Sequence, residues 1–244
     1  MREVHIIGEP PTATKVSDRP QQRWQAVPVT ARPQRQDPIS VILRVRNGAW
    51  TFNETTTIPP SAANITYHRD PDDPGVPVVL PPVASLPRVA TISLHNLPIR
   101  SISDIGNIDE YRPIIRSISF IDCPSLVLDD LSWFVPMAAV DFTPAQRRPA
   151  SLAISVMLAR CQIRSLAGME MFQRAVNLRV EDCGLDLGKE IEIIESYKAA
   201  HGWAAGTMGI GGNFIGGRKV LKRKEMLTVT AITYIRQWMA KRGA

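Results

Sequence analysis

The chain has 244 residues, of which 44% are hydrophobic, enough for one or two domains with a packed core. No apolar run approaches the roughly 18 residues that a membrane-spanning helix needs, and residues 1–10 lack the apolar core of a secretory signal peptide. We therefore expect a protein without a membrane span that stays in the cytoplasm or is released from it by lysis, and that is not secreted by a signal peptide. The net charge is +6, but the segment from Gly216 onward holds eight basic residues and one acidic residue, so the rest of the chain is nearly neutral.

The N-terminal third differs in composition from the remainder, because residues 1–88 contain 14 of the 20 prolines. Proline removes a backbone donor and fixes φ, so helices and central strands are disfavoured there. We predict a proline-rich extended arm over residues 1–38. Residues 39–85 should then form either a small separate β region or an N-terminal cap on the following repeats.

The clearest element in this third is a β-hairpin over residues 40–53. Asn47-Gly48 stands between two runs rich in β-branched and aromatic residues, and both residues of such a turn need positive φ. A lone hairpin is marginally stable in water. We therefore expect it to pair with residues 65–67 or 76–80, or to cover the open end of the repeats.

A recurring pattern organises residues 86–217. Its copies begin at Val89, Ile115, Ala153, Ala175 and Ala205, and most of the spacings are close to the range of about 20–29 residues typical of short structural repeats. Each copy has alternating apolar residues, as in Leu178 and Val180, which indicates a strand with one buried face. The ninth positions are occupied by Leu97, Cys123, Cys161, Cys183 and Asn213.

This pattern, L-x-x-L-x-L-x-x-N/C-x-L, resembles that of the leucine-rich-repeat family. The resemblance implies an irregular α/β solenoid of about five repeats with parallel strands on its concave face. An insertion is expected over residues 133–149. Protein-binding residues on the concave face would be the outward strand positions His95, Ser117, Ser119, Met157, Asn177, Arg179 and Glu181.

Two helices are predicted in the C-terminal part. One covers residues 189–201 and ends at Gly202, a typical C-terminal cap residue. The other covers residues 224–242, where apolar residues recur at helical spacing; residues 218–244 would form a basic capping helix on the last repeat.

Catalytic and ligand-binding motifs are not indicated. The glycine-rich stretch 209–217 resembles a phosphate-binding loop, but Arg218 stands where lysine is required and no serine or threonine follows. The histidines lack metal-ligand spacing, and the three cysteines, at inward repeat positions, are expected to be reduced structural thiols. We predict no enzyme, no cofactor and no metal.

Residues 194–213 provide a second resemblance. A helix, a Gly-Trp turn and the motif G-T-x-x-I-x-G-N are similar to repeats of tailed-bacteriophage structural proteins. This resemblance implies a tail- or capsid-associated subunit of a virion that binds other protein subunits in a larger assembly. The alternative is a nucleic-acid-binding protein that uses the basic cluster Arg218, Lys219, Lys222, Arg223 and Lys224, which could equally contact an acidic partner.

Overall fold

The computed structural model describes residues 39–137, 154–172, 175–202, 205–220 and 225–241. They belong to one compact unit, Pro38–Ala244. The predicted arm over residues 1–38 and most of the predicted insertion lie outside the described residues.

The described residues form short strands joined by turns, with three α-helices. The strands are β1 Ile39–Arg46, β2 Ala49–Thr51, β3 Ala62–His68, β4 Thr91–His95, β5 Ser117–Ile121, β6 Val127–Leu128, β7 Ile154–Ala159, β8 Gln162–Ile163, β9 Val176–Glu181, β10 Thr207–Gly209, β11 Phe214–Ile215, β12 Arg218–Lys219 and β13 Glu225–Leu227. The helices are α1 Ile108–Tyr111, α2 Ile191–His201 and α3 Thr228–Ala240, and 3-10 turns lie at Val83–Ser85, Ile102–Asp104, Ser132–Phe134 and Met169–Met171.

The predicted irregular leucine-rich-repeat solenoid of about five repeats is wrong. The fold is mixed α/β, with a nine-stranded, mostly parallel sheet in the order β13-β10-β9-β7-β5-β4-β3-β1-β2. The sheet extends beyond residues 86–217, because β3 and β1 continue the parallel pairing and the antiparallel strands β2 and β13 form its two edges. Alternating apolar residues are required wherever one sheet face is buried, so the pattern indicates strands without specifying a solenoid.

The core lies on one side of this sheet, where in-register side chains form two continuous rows. One row runs through Ile65, Ile92, Ile118, Val156 and Leu178, each at most 1% exposed. The residues two places later in each strand form the second row. Side chains from the connecting segments and from all three helices join the same buried cluster.

The hairpin turn is confirmed, since Asn47 and Gly48 adopt φ values of 51° and 73° and β1 pairs with β2 in antiparallel orientation. The hairpin is not isolated, because β1 also pairs in parallel with β3 from Ile39 to Arg44. Of the predicted partners, it is therefore the segment containing residues 65–67 that contacts β1.

The two predicted C-terminal helices are present with shorter bounds. Helix α2 ends at His201 and is capped by Gly202, whose φ is 58° and whose N–H donates a hydrogen bond to the carbonyl of Lys198. Helix α3 begins at Thr228 rather than at residue 224, because Glu225–Leu227 pairs with β10 as an edge strand. We predicted that a helix alone would cap the last repeat; in the structure an edge strand, β13, pairs with β10 and is followed by helix α3.

Candidate functional site

The face of the sheet opposite the core carries three rows of side chains in register, and we call these rows the open face. Strand pairing places like positions of adjacent strands side by side. Most of these side chains are half-exposed. From β3 to β9 the rows are Asn64, Thr91, Ser117, Ser155 and Asn177; then Thr66, Ser93, Ser119, Met157 and Arg179; then His68, His95, Ile121, Ala159 and Glu181.

All seven residues predicted to bind a protein partner lie on this one face. The parallel register brings them into neighbouring positions on four adjacent strands, although they are up to 86 residues apart in the chain. They are His95 on β4, Ser117 and Ser119 on β5, Met157 on β7, and Asn177, Arg179 and Glu181 on β9.

The residues on β9 already have intramolecular roles. Glu181 is 3% exposed and accepts a hydrogen bond from Nη2 of Arg179 at 2.9 Å. The amide oxygen of Asn177 accepts from both the backbone N–H and the hydroxyl of Thr207, each at 3.1 Å. The accessible part of the open face is therefore centred on β4, β5 and β7, where serines and Met157 are half-exposed.

A charged rim follows the carboxyl ends of the strands. The first residue after each strand has φ between 52° and 57° in four turns, at Asn96, Asp122, Arg160 and Asp182. The backbone N–H of each residue donates to a carbonyl at the end of the next strand or, for Asp182, to the carbonyl of Gly211. This left-handed conformation continues the ladder by one residue while the chain turns toward the core. The same rim position is occupied in five consecutive turns, the fifth by Gly212.

Opposite charges alternate along this rim. The Arg160 guanidinium pairs with the Asp122 carboxylate, with Nη2 to Oδ2 at 2.6 Å, and this hydrogen bond raises the pKa of Arg160. Farther along, Nζ of Lys219 lies 3.0 Å from Oδ1 of Asp182. A Cβ at position 212 would overlap that same Oδ1, and the φ of 76° at this position also favours glycine.

At the other end of the third row lies a cluster of basic side chains, formed by Arg44, His68 and His95 on adjacent strands. Nη1 of Arg44 is 3.2 Å from Nδ1 of His68, and the two imidazole rings are 5.6 Å apart. Burial lowers the pKa of His95, the neighbouring His68 lowers it further, and Asp122 acts in the opposite direction. The sequence prediction missed this cluster, because it considered the histidines separately; their shared position at the last outward residue of β3 and β4 was the available signal.

The predicted nucleic-acid cluster is only partly described. Arg218 and Lys219 form β12 and are exposed, with Lys219 paired to Asp182 as above. Lys222, Arg223 and Lys224 lie outside the described residues. That these five side chains form one basic surface therefore remains a prediction.

The ninth-position residues are buried where each strand turns into the core. Cys123, Cys161 and Cys183 are free thiols, at most 5% exposed. The neighbouring Cys123 thiol raises the pKa of Cys161, the Cys161 thiol lowers the pKa of Cys123, and burial raises the pKa of Cys183 to about 11. Their sulfurs contact backbone carbonyls, as in the 3.3 Å contact from Cys183 to Leu158. These geometries fit a structural role.

Two further properties bear on the kind of site. The described part of the chain contains no group of three histidine, cysteine or carboxylate side chains able to hold a metal ion. No helix within the described ranges is long and apolar enough to cross a membrane.

No protein-family model, curated protein or solved structure matches this chain.

Proposed function

We propose that this protein is a non-enzymatic structural or protein-binding subunit of a larger assembly, and that the open face of its sheet contacts the neighbouring subunit. The observation that supports this proposal is the register of the face. Parallel pairing sets hydroxyl side chains beside one another on β3, β4, β5 and β7, with Thr66, Ser93 and Ser119 in one row.

Parallel sheets usually have both faces covered, because their connections cross over the faces. Here the connections and helices pack on the core side, and the described residues leave the serines of β4 and β5 half-exposed. Small hydroxyl side chains lose little rotamer entropy when they are covered. A flat polar partner can therefore bind this face at low entropic cost.

The size of the face limits what it does alone. The five strands of the open face, β3, β4, β5, β7 and β9, span about 19 Å, and five residues along each strand span about 16 Å, so the projected area is about 300 Å². A stable interface covers about 800 Å² on each partner. The partner should therefore also contact the charged rim or the basic end of the third row.

The context of the assembly comes from the resemblance of residues 194–213 to repeats of tailed-bacteriophage structural proteins. In the structure this segment forms α2, the turn at Gly202, β10 and the turn that contains the buried Asn213. On this basis the proposed subunit belongs to the tail or capsid-associated part of a virion.

The test is a tryptophan placed at the centre of the open face. Ser119 lies between Ser93 and Met157 in its row, so Ser119→Trp would hold a flat partner away without touching the core. Ser125→Trp is the matched control, since Ser125 is exposed in the turn after β5 and lies outside the open face. Tagged wild-type and variant chains would be purified from the native source, with and without nuclease treatment, and the co-purifying proteins compared.

We expect the same partner with the wild type and with Ser125→Trp, and its loss with Ser119→Trp. Retention of the partner by Ser119→Trp would contradict the proposal. If binding is lost instead on nuclease treatment, or on reversing Arg218, Lys219, Lys222, Arg223 and Lys224 to glutamate, the nucleic-acid alternative would replace it.

A further inference from the structure

Three cation-forming side chains stand in one row at the end of the open face where β1 pairs with β3. The register pairs Arg44 with His68 and His68 with His95. With a strand spacing of about 4.8 Å, the three side chains lie within about 10 Å of one another. The His95 imidazole, although half-buried, makes no hydrogen bond to any residue that the structure describes.

The charges around this row are distributed unequally. Asp70 lies 3.6 Å from Nη1 of Arg44 and 3.5 Å from Nδ1 of His68, so one carboxylate is shared by two basic groups. Asp122, the acidic residue nearest His95 along the rim, is paired with Arg160. Asp122 still favours the protonated form of His95, but His68, which lies beside it, acts in the opposite direction.

Neutral donors adjoin the row. Ser93 on β4 and Thr66 on β3 belong to the neighbouring row of the open face. Each lies two residues before the histidine of its strand, as Ser93 does before His95. Imidazolium, guanidinium and hydroxyl groups are all donors that recognise phosphate-like oxygens. The described residues offer no third metal ligand here, so the chemistry favours an anion over a metal ion.

We propose that Arg44, His68, His95 and Ser93 form a binding site for a tetrahedral dianion, the chemistry shared by sulfate and by a phosphate group. The dianion would sit over the two imidazoles, accept from the Ser93 hydroxyl and compete with Asp70 for Arg44 and His68. Its negative charge would offset the repulsion between two adjacent imidazolium ions.

The site should be pH-dependent. The facing groups are Arg44 on β1, His68 and Asp70 at the end of β3, His95 on β4, Asp122 after β5 and Arg160 after β7. Imidazole is the side chain whose charge ordinarily changes in the physiological pH range. Because a protonated imidazole attracts a dianion, the affinity should be about tenfold higher at pH 5.5 than at pH 8.

The test uses sulfate, which keeps both charges throughout this pH range, with the full-length protein. Imidazole NMR signals would be titrated with sodium sulfate against sodium chloride of equal ionic strength, and assigned with His68→Gln and His95→Gln. His201 on α2 is the internal control, because its ring stacks on Tyr197 and bonds the Tyr197 carbonyl at 3.0 Å. We expect saturable shifts of the His68 and His95 signals, larger at pH 5.5 than at pH 8, with no shift of the His201 signal.

Two variants sharpen this test. Asp70→Asn removes the competing carboxylate and should tighten sulfate binding severalfold, whereas His95→Gln should weaken it about tenfold at pH 5.5. Inorganic phosphate and phenyl phosphate would then be compared, since tighter binding of the ester indicates a phosphate carried by a larger molecule and equal binding indicates a free ion. Equal responses of all histidine signals to sulfate and chloride would overturn the proposal. The proposed function would be unaffected, because a free ion is the probe and Ser119 lies outside the site.

Discussion

Replacing Asn213 with alanine should strongly destabilise the fold, because this side chain connects two buried turns. Asn213 is 0% exposed, and its amide forms hydrogen bonds to four backbone groups near the end of β9, in the turn after β9 and in the turn after β10. Its oxygen accepts from the N–H groups of Cys183 at 3.1 Å and Leu185 at 3.3 Å. Its nitrogen donates to the carbonyls of Val180 at 2.6 Å and Ile210 at 3.3 Å.

The expected magnitude follows from those four contacts. A buried backbone group left without a partner costs about 1–3 kcal/mol, and the two contacts at 3.3 Å should contribute least. We therefore expect a loss of about 3–5 kcal/mol, a large part of the stability of a typical domain. Asn213→Asp keeps the acceptor positions but buries a charge, so its loss at neutral pH should be at least as large.

Urea unfolding followed by tryptophan fluorescence measures this effect, with an expected decrease of about 1–2 M in the midpoint. The matched control is Asn64→Ala, which removes one hydrogen bond to the Ser40 hydroxyl on the open face and should cost less than about 1 kcal/mol. An Asn213→Ala midpoint equal to that of Asn64→Ala would refute the reasoning that Asn213 holds the buried turns together.

Three further substitutions test the core and its turns. Leu178→Asp should lower the free energy of unfolding by at least about 4 kcal/mol, since Leu178 is 0% exposed, and its thermal denaturation should show no cooperative transition. The control is Ser155→Asp at a half-exposed position, which should still unfold cooperatively. A Leu178→Asp variant that unfolds like the wild type would contradict the assignment of Leu178 to the inward face. Cys183→Ser should lower the free energy of unfolding in urea by about 1 kcal/mol. Because the cysteines are free thiols, a reductant should not change the Tm of the wild-type protein. A disulfide detected by mass spectrometry after alkylation would contradict the assignment of free thiols. Tyr197→Phe should cost about 1.5–3 kcal/mol, because the buried hydroxyl accepts from Val176 and donates to Ala205, both at 2.8 Å. Burial also raises the pKa of Tyr197 from 10.0 to about 12, so its contribution to stability should decrease as pH rises through that interval. A loss of stability in Tyr197→Phe equal to that of the wild type over the same pH interval would contradict this expectation.

The sequence alone was sufficient to predict the turn conformation and the inward-facing residues of individual strands. The Asn47-Gly48 turn needs positive φ at two consecutive residues, and the structure has it. Alternation identified Leu178 and Val180 as inward residues, and both are at most 1% exposed. The ninth positions were also correctly expected to be buried, because a sharp turn into the core leaves room there for a small or amide side chain. Each of these predictions depends on residues a few positions apart.

The extent of the sheet required the tertiary structure. A period of two residues indicates which side chains point inward, but it does not indicate which strands become neighbours or where the pairing stops. The repeat pattern therefore located β4, β5, β7, β9 and β10 and still led to the wrong architecture. The parallel pairing of β1 with β3 and the antiparallel edge β13 depend on contacts between distant segments, which carry no local signal.

The candidate sites show the same division. The outward positions could be listed from alternation, but their partners could not, because Asp122 and Arg160 are 38 residues apart and meet through the β5–β7 register. The same register logic places His68 beside His95 and thereby creates the cluster on which the anion site is proposed. Strand order and register decide which outward side chains become neighbours, because these are set by the packing of the whole sheet and not by any one strand.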